Sequence, residues 1–307
     1  MFRLPSFVLL LAASSAAFAG AGVDFDTAGR IYLAAGLREQ VSASLPAMPG
    51  KLRDLFTSGG TGTLDAKRLA AVDAAAHRAF RIDVFEPQAL AAFAAHLDPD
   101  AAARTLAFLS SPTGQRMVRD DIALAKLDEK TIDAVAQGKI AVPSSPSRAR
   151  LFARLETASR ATESAATVYL TIGRSIAVGK ALGYGLNLEE AEQEVDKGQS
   201  TQPSAALEHS LEQPLGRYLA YGYRDLSERD LRRMVAFFES APGKTYVDAS
   251  IAALSAGFQS MGRRCGERIG ESWRELARAE AQDRAGAAAP ASLAAPGTPA
   301  APVPKPR

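Results

Sequence analysis

Pro242-Gly243-Lys244-Thr245 carries the Gly-Lys-Thr end of a phosphate-binding loop. The full loop needs another glycine five residues before that glycine, and Phe238 stands there instead. No strand pattern precedes it, so the backbone amides that would cradle a phosphate are not expected. Ser58-Gly59-Gly60-Thr61-Gly62 is the second glycine-rich stretch. It reads as a connection that caps a helix starting at Leu64, since glycine there punctuates helical patterns on both sides.

The three histidines are His77, His96 and His209, and no two stand at ligand spacing. His209 and Glu212 share one helical face, but a metal site would need further ligands from elsewhere. Asp120 and Asp121 point about 100° apart on a helix and cannot share a proton. They read as solvated, with Arg116 spaced to pair with Asp120, and Glu189, Glu190, Glu192 and Glu194 read as solvated too. Cys265 lies among arginines, which favour a thiolate. It also sits in the stripe Phe258, Met261, Cys265, Ile269, Trp273 and Leu276, which predicts a buried thiol. From these residues no catalytic, cofactor-binding or metal-ligating set is expected.

The elements that carry them are predicted to be helices. Alanine, leucine, arginine and glutamate dominate, and β-branched runs are nearly absent. Leu69, Val72, Ala76 and Phe80 fall on one helical stripe. A second runs through Leu151, Leu155, Ala158, Ala165, Val168, Ile172 and Ile176, started by Ser145-Pro146 and broken at Gly185-Leu186-Asn187.

Residues 97–123 are echoed without gaps 129 positions later, at 226–252. Nine pairs are identical: Leu97/Leu226, Arg104/Arg233, Ala107/Ala236, Phe108/Phe237, Ser111/Ser240, Gly114/Gly243, Val118/Val247, Ile122/Ile251 and Ala123/Ala252. Each copy reads as an αα-corner. Asp98 or Ser227 starts a helix that ends near the phenylalanine, and Ser111 or Ser240 then caps a second helix. Pro112 or Pro242 fits that helix's first turn, where no amide donor is missed. Gly114 and Gly243 fall there too, at a cost of about 1 kcal/mol of helix propensity relative to alanine. Close approach of the preceding helix or its phenylalanine is expected to offset that cost.

The ends bound the rest. Arg3, an apolar stretch to Ala16 and Ala17-Phe18-Ala19 read as a cleaved signal peptide over 1–19. No later stretch approaches the ~20 apolar residues of a membrane span. A formal charge of +2 without an aromatic-rich basic patch argues against nucleic acid. One cysteine rules out an intrachain disulfide. From 284 to 307 alanine and proline alternate, which predicts a disordered tail. The expected organisation is all-α: related helical halves at 20–137 and 148–283, joined by a linker at 138–147.

The run Leu226-Ser227-Glu228 with Asp230-Leu231, then Ala236-Phe237-Phe238, Ser240 and Gly243-Lys244, resembles the domain of unknown function 2059 family. The usual core of that family is phenylalanine, an aromatic, then Ser-Pro-x-Gly. The first copy keeps Phe108, Ser111, Pro112 and Gly114 but has Leu109 for the aromatic, and the second shifts its proline to Pro242. The resemblance spans about 27 residues in each half and implies a helical envelope protein of Gram-negative bacteria. It supplies no catalytic residues. Three readings follow: a non-catalytic periplasmic interaction or scaffold protein with an envelope protein partner, a helical carrier of an apolar ligand, and an envelope hydrolase.

Overall fold

The structure is a computed structural model that describes residues 22–58, 64–142, 145–198 and 205–288. The predicted signal peptide, the glycines of 59–62 and the chain beyond 288 lie outside the described residues. The fold is all-α, with no strand among the described residues.

The first half runs α1 (Phe25–Ala34), α2 (Leu37–Ser44), a 3₁₀ turn at Leu45–Ala47, α3 (Met48–Ser58), α4 (Ala66–Ala79), α5 (Ile82–His96), α6 (Pro99–Ser110), α7 (Pro112–Ala125) and α8 (Glu129–Ala136). The second runs α9 (Pro146–Ser159), α10 (Ala161–Tyr184), α11 (Leu188–Gly198), α12 (Ala205–Gly222), α13 (Glu228–Glu239) and α14 (Ala241–Ala288).

Helix starts follow the predicted caps. Asp98, Ser111, Ser145 and Ser227 each accept a hydrogen bond from the amide three residues on. That satisfies one of the donors a helix N-terminus leaves open. Asn187 and Glu190 close a reciprocal capping box at α11, both bonds being 3.0 Å.

Three boundaries differ from the sequence reading. The helix expected from Leu64 starts at Ala66, because Asp65 caps it by accepting from the Arg68 amide. The stripe from Leu151 to Ile176 is two helices, not one. Arg160 breaks it with φ 53°, the left-handed region in which an L side chain crowds its own backbone. The last helix continues past Arg284 to Ala288, into the stretch predicted as tail.

α14 organises the molecule. At 48 residues it is ~72 Å long. α4, α5 and α6 of the first half pack on it, as does α10 of the second. The largest apolar cluster therefore draws Phe85, Phe93 and Leu97 together with Leu231, Phe258 and Ile269. The two sequence halves share one core. A smaller cluster joins Leu124, Ile132 and Val135 to Leu211, Leu215 and Tyr218, where α7 and α8 meet α12.

Candidate functional site

The two corners have the same local build. Ser111 ends α6 and starts α7, its hydroxyl accepting from the Gly114 amide at 3.1 Å. Ser240 ends α13 and starts α14, accepting from the Gly243 amide at 3.2 Å. In each, the preceding helix turns back so closely that a methyl group on the glycine would overlap the phenylalanine's carbonyl oxygen, on Phe108 for Gly114 and on Phe237 for Gly243. Glycine is the residue that admits this approach, which offsets its poor helix propensity.

Phe108 and Phe237 do more than cover their own glycines. Their rings stack on each other with centroids 3.9 Å apart and planes 4° from parallel. Phe238 meets Phe237 edge-on at 5.2 Å, and Tyr246 lies tilted beneath it. The corners are thus joined through an aromatic stack, half-buried at the rim of the shared core. The two rings touch directly.

A buried carboxylate ties the corners together again. Asp230 accepts from the Thr113 hydroxyl at 2.8 Å, from the Ser227 hydroxyl at 2.6 Å and from Arg116 at 2.8 Å. The Ser227 and Thr113 hydroxyls, with Arg116 beside them, hold its carboxyl below the usual carboxylate range. Arg116 shares a helical face with Asp120 on α7, yet its ion pair reaches across to the buried Asp230 of α13.

Beside the second corner lies a half-open cleft of about 580 Å³ between α9, the end of α13 and the start of α14. Ala153, Ala158 and Val247 give it an apolar floor. An ion pair spans each end. Arg154 grips Glu239 through two bonds, 3.0 and 2.7 Å, and holds its carboxyl below the ordinary range. Arg160, the left-handed residue between α9 and α10, reaches Asp248 at 3.2 Å while clasping Glu163. Burial pushes the Asp248 carboxyl up, and Arg160 works against that. Lys244 lines the same cleft, close enough to Glu239 to help keep it ionised.

The remaining candidates disperse. Gly243-Lys244-Thr245 forms the first turn of α14 behind a helix, without the strand a phosphate loop follows. His77 and His96 are exposed, His96 bonding the Ala92 carbonyl oxygen. His209 is almost fully exposed, 3.6 Å from Glu212. No group of three or more metal-ligating side chains occurs among the described residues. Cys265 is buried, and burial pushes its thiol up to about 12.

Two features escaped the sequence reading. Gly262, Gly266 and Gly270 of α14 face Ser175, Gly179 and Gly183 of α10, backbone against backbone for most of the contact. The four-residue spacing of those small residues is the signal, overshadowed by the apolar stripe on the same helix. The second is Asp121, expected to be solvated but buried, its carboxylate taking the Tyr223 hydroxyl at 2.5 Å. Its place in the stripe Gly114, Met117, Asp121 and Leu124, all buried, marks it as inward-facing.

Comparison with known proteins reaches only part of the chain. Residues 83–141 match the family profile described as an uncharacterized protein conserved in bacteria, DUF2059. That span covers α5 almost entirely, the first corner and α8. No curated protein and no solved structure matches the chain. No helix among the described residues is long and apolar enough to cross a membrane.

Proposed function

We propose that this is an exported, periplasmic, non-catalytic interaction protein built from two copies of one helical corner, and that a partner protein docks in the cleft beside the second corner. The observation that carries the reading is the cleft itself: charges of both signs stand over a small apolar floor, with an ion pair at either end. Such a wall suits a polar peptide segment, whose amides and side chains find donors and acceptors there. It suits an apolar ligand poorly, since the paired charges would lose water without compensation. The signal-like sequence at 1–19 supports export, and the matched identities at 97–123 and 226–252 support duplication.

The test is site-specific photocrosslinking in intact cells. A crosslinker at Thr157, inside the cleft, is expected to trap a discrete partner, and one at exposed Arg278 on the far stretch of α14 is not. Lys244→Glu should abolish the Thr157 adduct while leaving the fold intact. Equal trapping at both positions, or an adduct indifferent to Lys244, overturns the docking site. A hydrolytic activity lost on substitution of His77, His96 or His209 would overturn the non-catalytic reading.

A further inference from the structure

Asp121 sits where the largest apolar cluster meets the smaller one between α7, α8 and α12. On its own helix, α7, Leu124 belongs to the smaller cluster and Met117 to the larger. Opposite it, the end of α12 supplies Tyr218, a member of the smaller cluster, and the turn that follows supplies Tyr223, a member of the larger. Tyr218 donates to the Leu124 carbonyl oxygen at 2.8 Å, and Tyr223 to Asp121 at 2.5 Å. These two phenols hold the end of α12 onto α7.

The surroundings of that carboxyl are unusual for a buried acid. Among the described residues its one hydrogen-bond donor is Tyr223, and no basic side chain pairs with it. The groups facing it are Tyr223 and Tyr218 from the α12 side, Tyr246 from α14 and Asp120 from its own helix. Arg116, Arg119 and Arg224 act on Asp120, together with Asp225, at the outer edge. A buried carboxylate ordinarily needs a cation or several donors to stay ionised. Asp230, which accepts from three polar side chains and has Arg233 nearby as well, is the contrasting case.

We propose that Asp121 and Tyr223 form a pH-sensitive latch: while Asp121 is protonated the end of α12 stays closed on α7, and ionisation of Asp121 releases it and uncovers the smaller apolar cluster. Burial is the main cause of the raised carboxyl, which titrates at about 7; the nearby Asp120 charge adds to it, and the Tyr223 bond opposes it. An acid raised in the folded state stabilises the closed form fully below its unfolded value, about 4. That stabilisation is lost as pH rises through about 7. The surface released would be Leu124, Ile132, Val135, Leu211 and Leu215, an apolar face available only on the alkaline side.

Hydrogen exchange of the full chain at about pH 5 and about pH 8, with labelling times scaled for intrinsic chemistry, tests the latch. Peptides covering 118–126 and 211–226 should exchange about tenfold faster at the higher pH, while those across Gly179 and Gly266 keep their protection. Asp121→Asn should remove the difference between the two conditions. Tyr223→Phe should keep it and carry it to higher pH, because the phenol favours the ionised carboxylate. Protection lost evenly along the chain overturns the proposal, as does an unchanged wild type or a pH response that survives in Asp121→Asn.

Discussion

Phe108 and Phe237 stand 129 residues apart at equivalent places in the two corners, and their rings lie face to face, 3.9 Å between centroids. Each ring lies against the other corner and not only against its own. The corner is therefore a joining element as well as a turn: each glycine draws its two helices together, and each phenylalanine then reaches the other corner.

The stack should be measurable as a coupling. Phe108→Ala and Phe237→Ala each remove one ring, and the double variant removes both. In urea unfolding, the single changes should sum to more than the double by about 0.5–1.5 kcal/mol, the range found for aromatic pairs beyond their buried area. Strict additivity would mean the rings merely lie adjacent.

Gly243→Val should lower stability by at least about 2 kcal/mol, since the added carbons meet the Phe237 carbonyl oxygen, part of the backbone and unable to move aside. Gly114→Val should act alike through Phe108. An unchanged urea midpoint for either would show that the helices do not approach there.

On α10, two glycines should behave oppositely. Gly179 lies against the Arg263 backbone, whereas a methyl on Gly173 meets nothing within 4 Å. Gly179→Ala should destabilise by about 1–3 kcal/mol through forced separation of α10 and α14. Gly173→Ala should stabilise by about 0.5–1 kcal/mol through helix propensity alone. Thermal melts of both, run against the parent, decide the matter.

Cys265 should ignore a thiol reagent such as Ellman's reagent in the native protein and react fully in denaturant. Burial in the α14 stripe both hides the sulfur and holds it as the thiol. A Cys265-dependent dimer band on a non-reducing gel would contradict that placement.

Much of the local structure was legible in the sequence because short-range chemistry governs it. Ser111, Ser145, Ser227 and Ser240 announce helix starts through one side-chain acceptor each, and the amide three residues on answers it. The stripe from Phe258 to Ile269 announces burial by spacing. Contacts between distant segments were not legible. An offset of 129 residues says that Phe108 and Phe237 are alike, yet carries no sign that they touch. Asp121 was misread because its charge outweighed its position among buried neighbours. Arg160 was missed because a single left-handed arginine leaves the apolar spacing on both sides intact. The cleft arises only where α9 lies over the α13–α14 joint, a relation between segments more than 70 residues apart.

α14 follows the other described helices in the chain, yet it is the surface on which α4, α5 and α6 pack. Until residues near Phe258 arrive, Phe85 has neither its edge-on ring partner nor the bare face of Gly257 to lie on. The contacts of α4, α5 and α6 with α14 can therefore form only after most of the chain has been made. That order would be compatible with the proposed export, in which a chain is threaded through a narrow channel before it becomes compact.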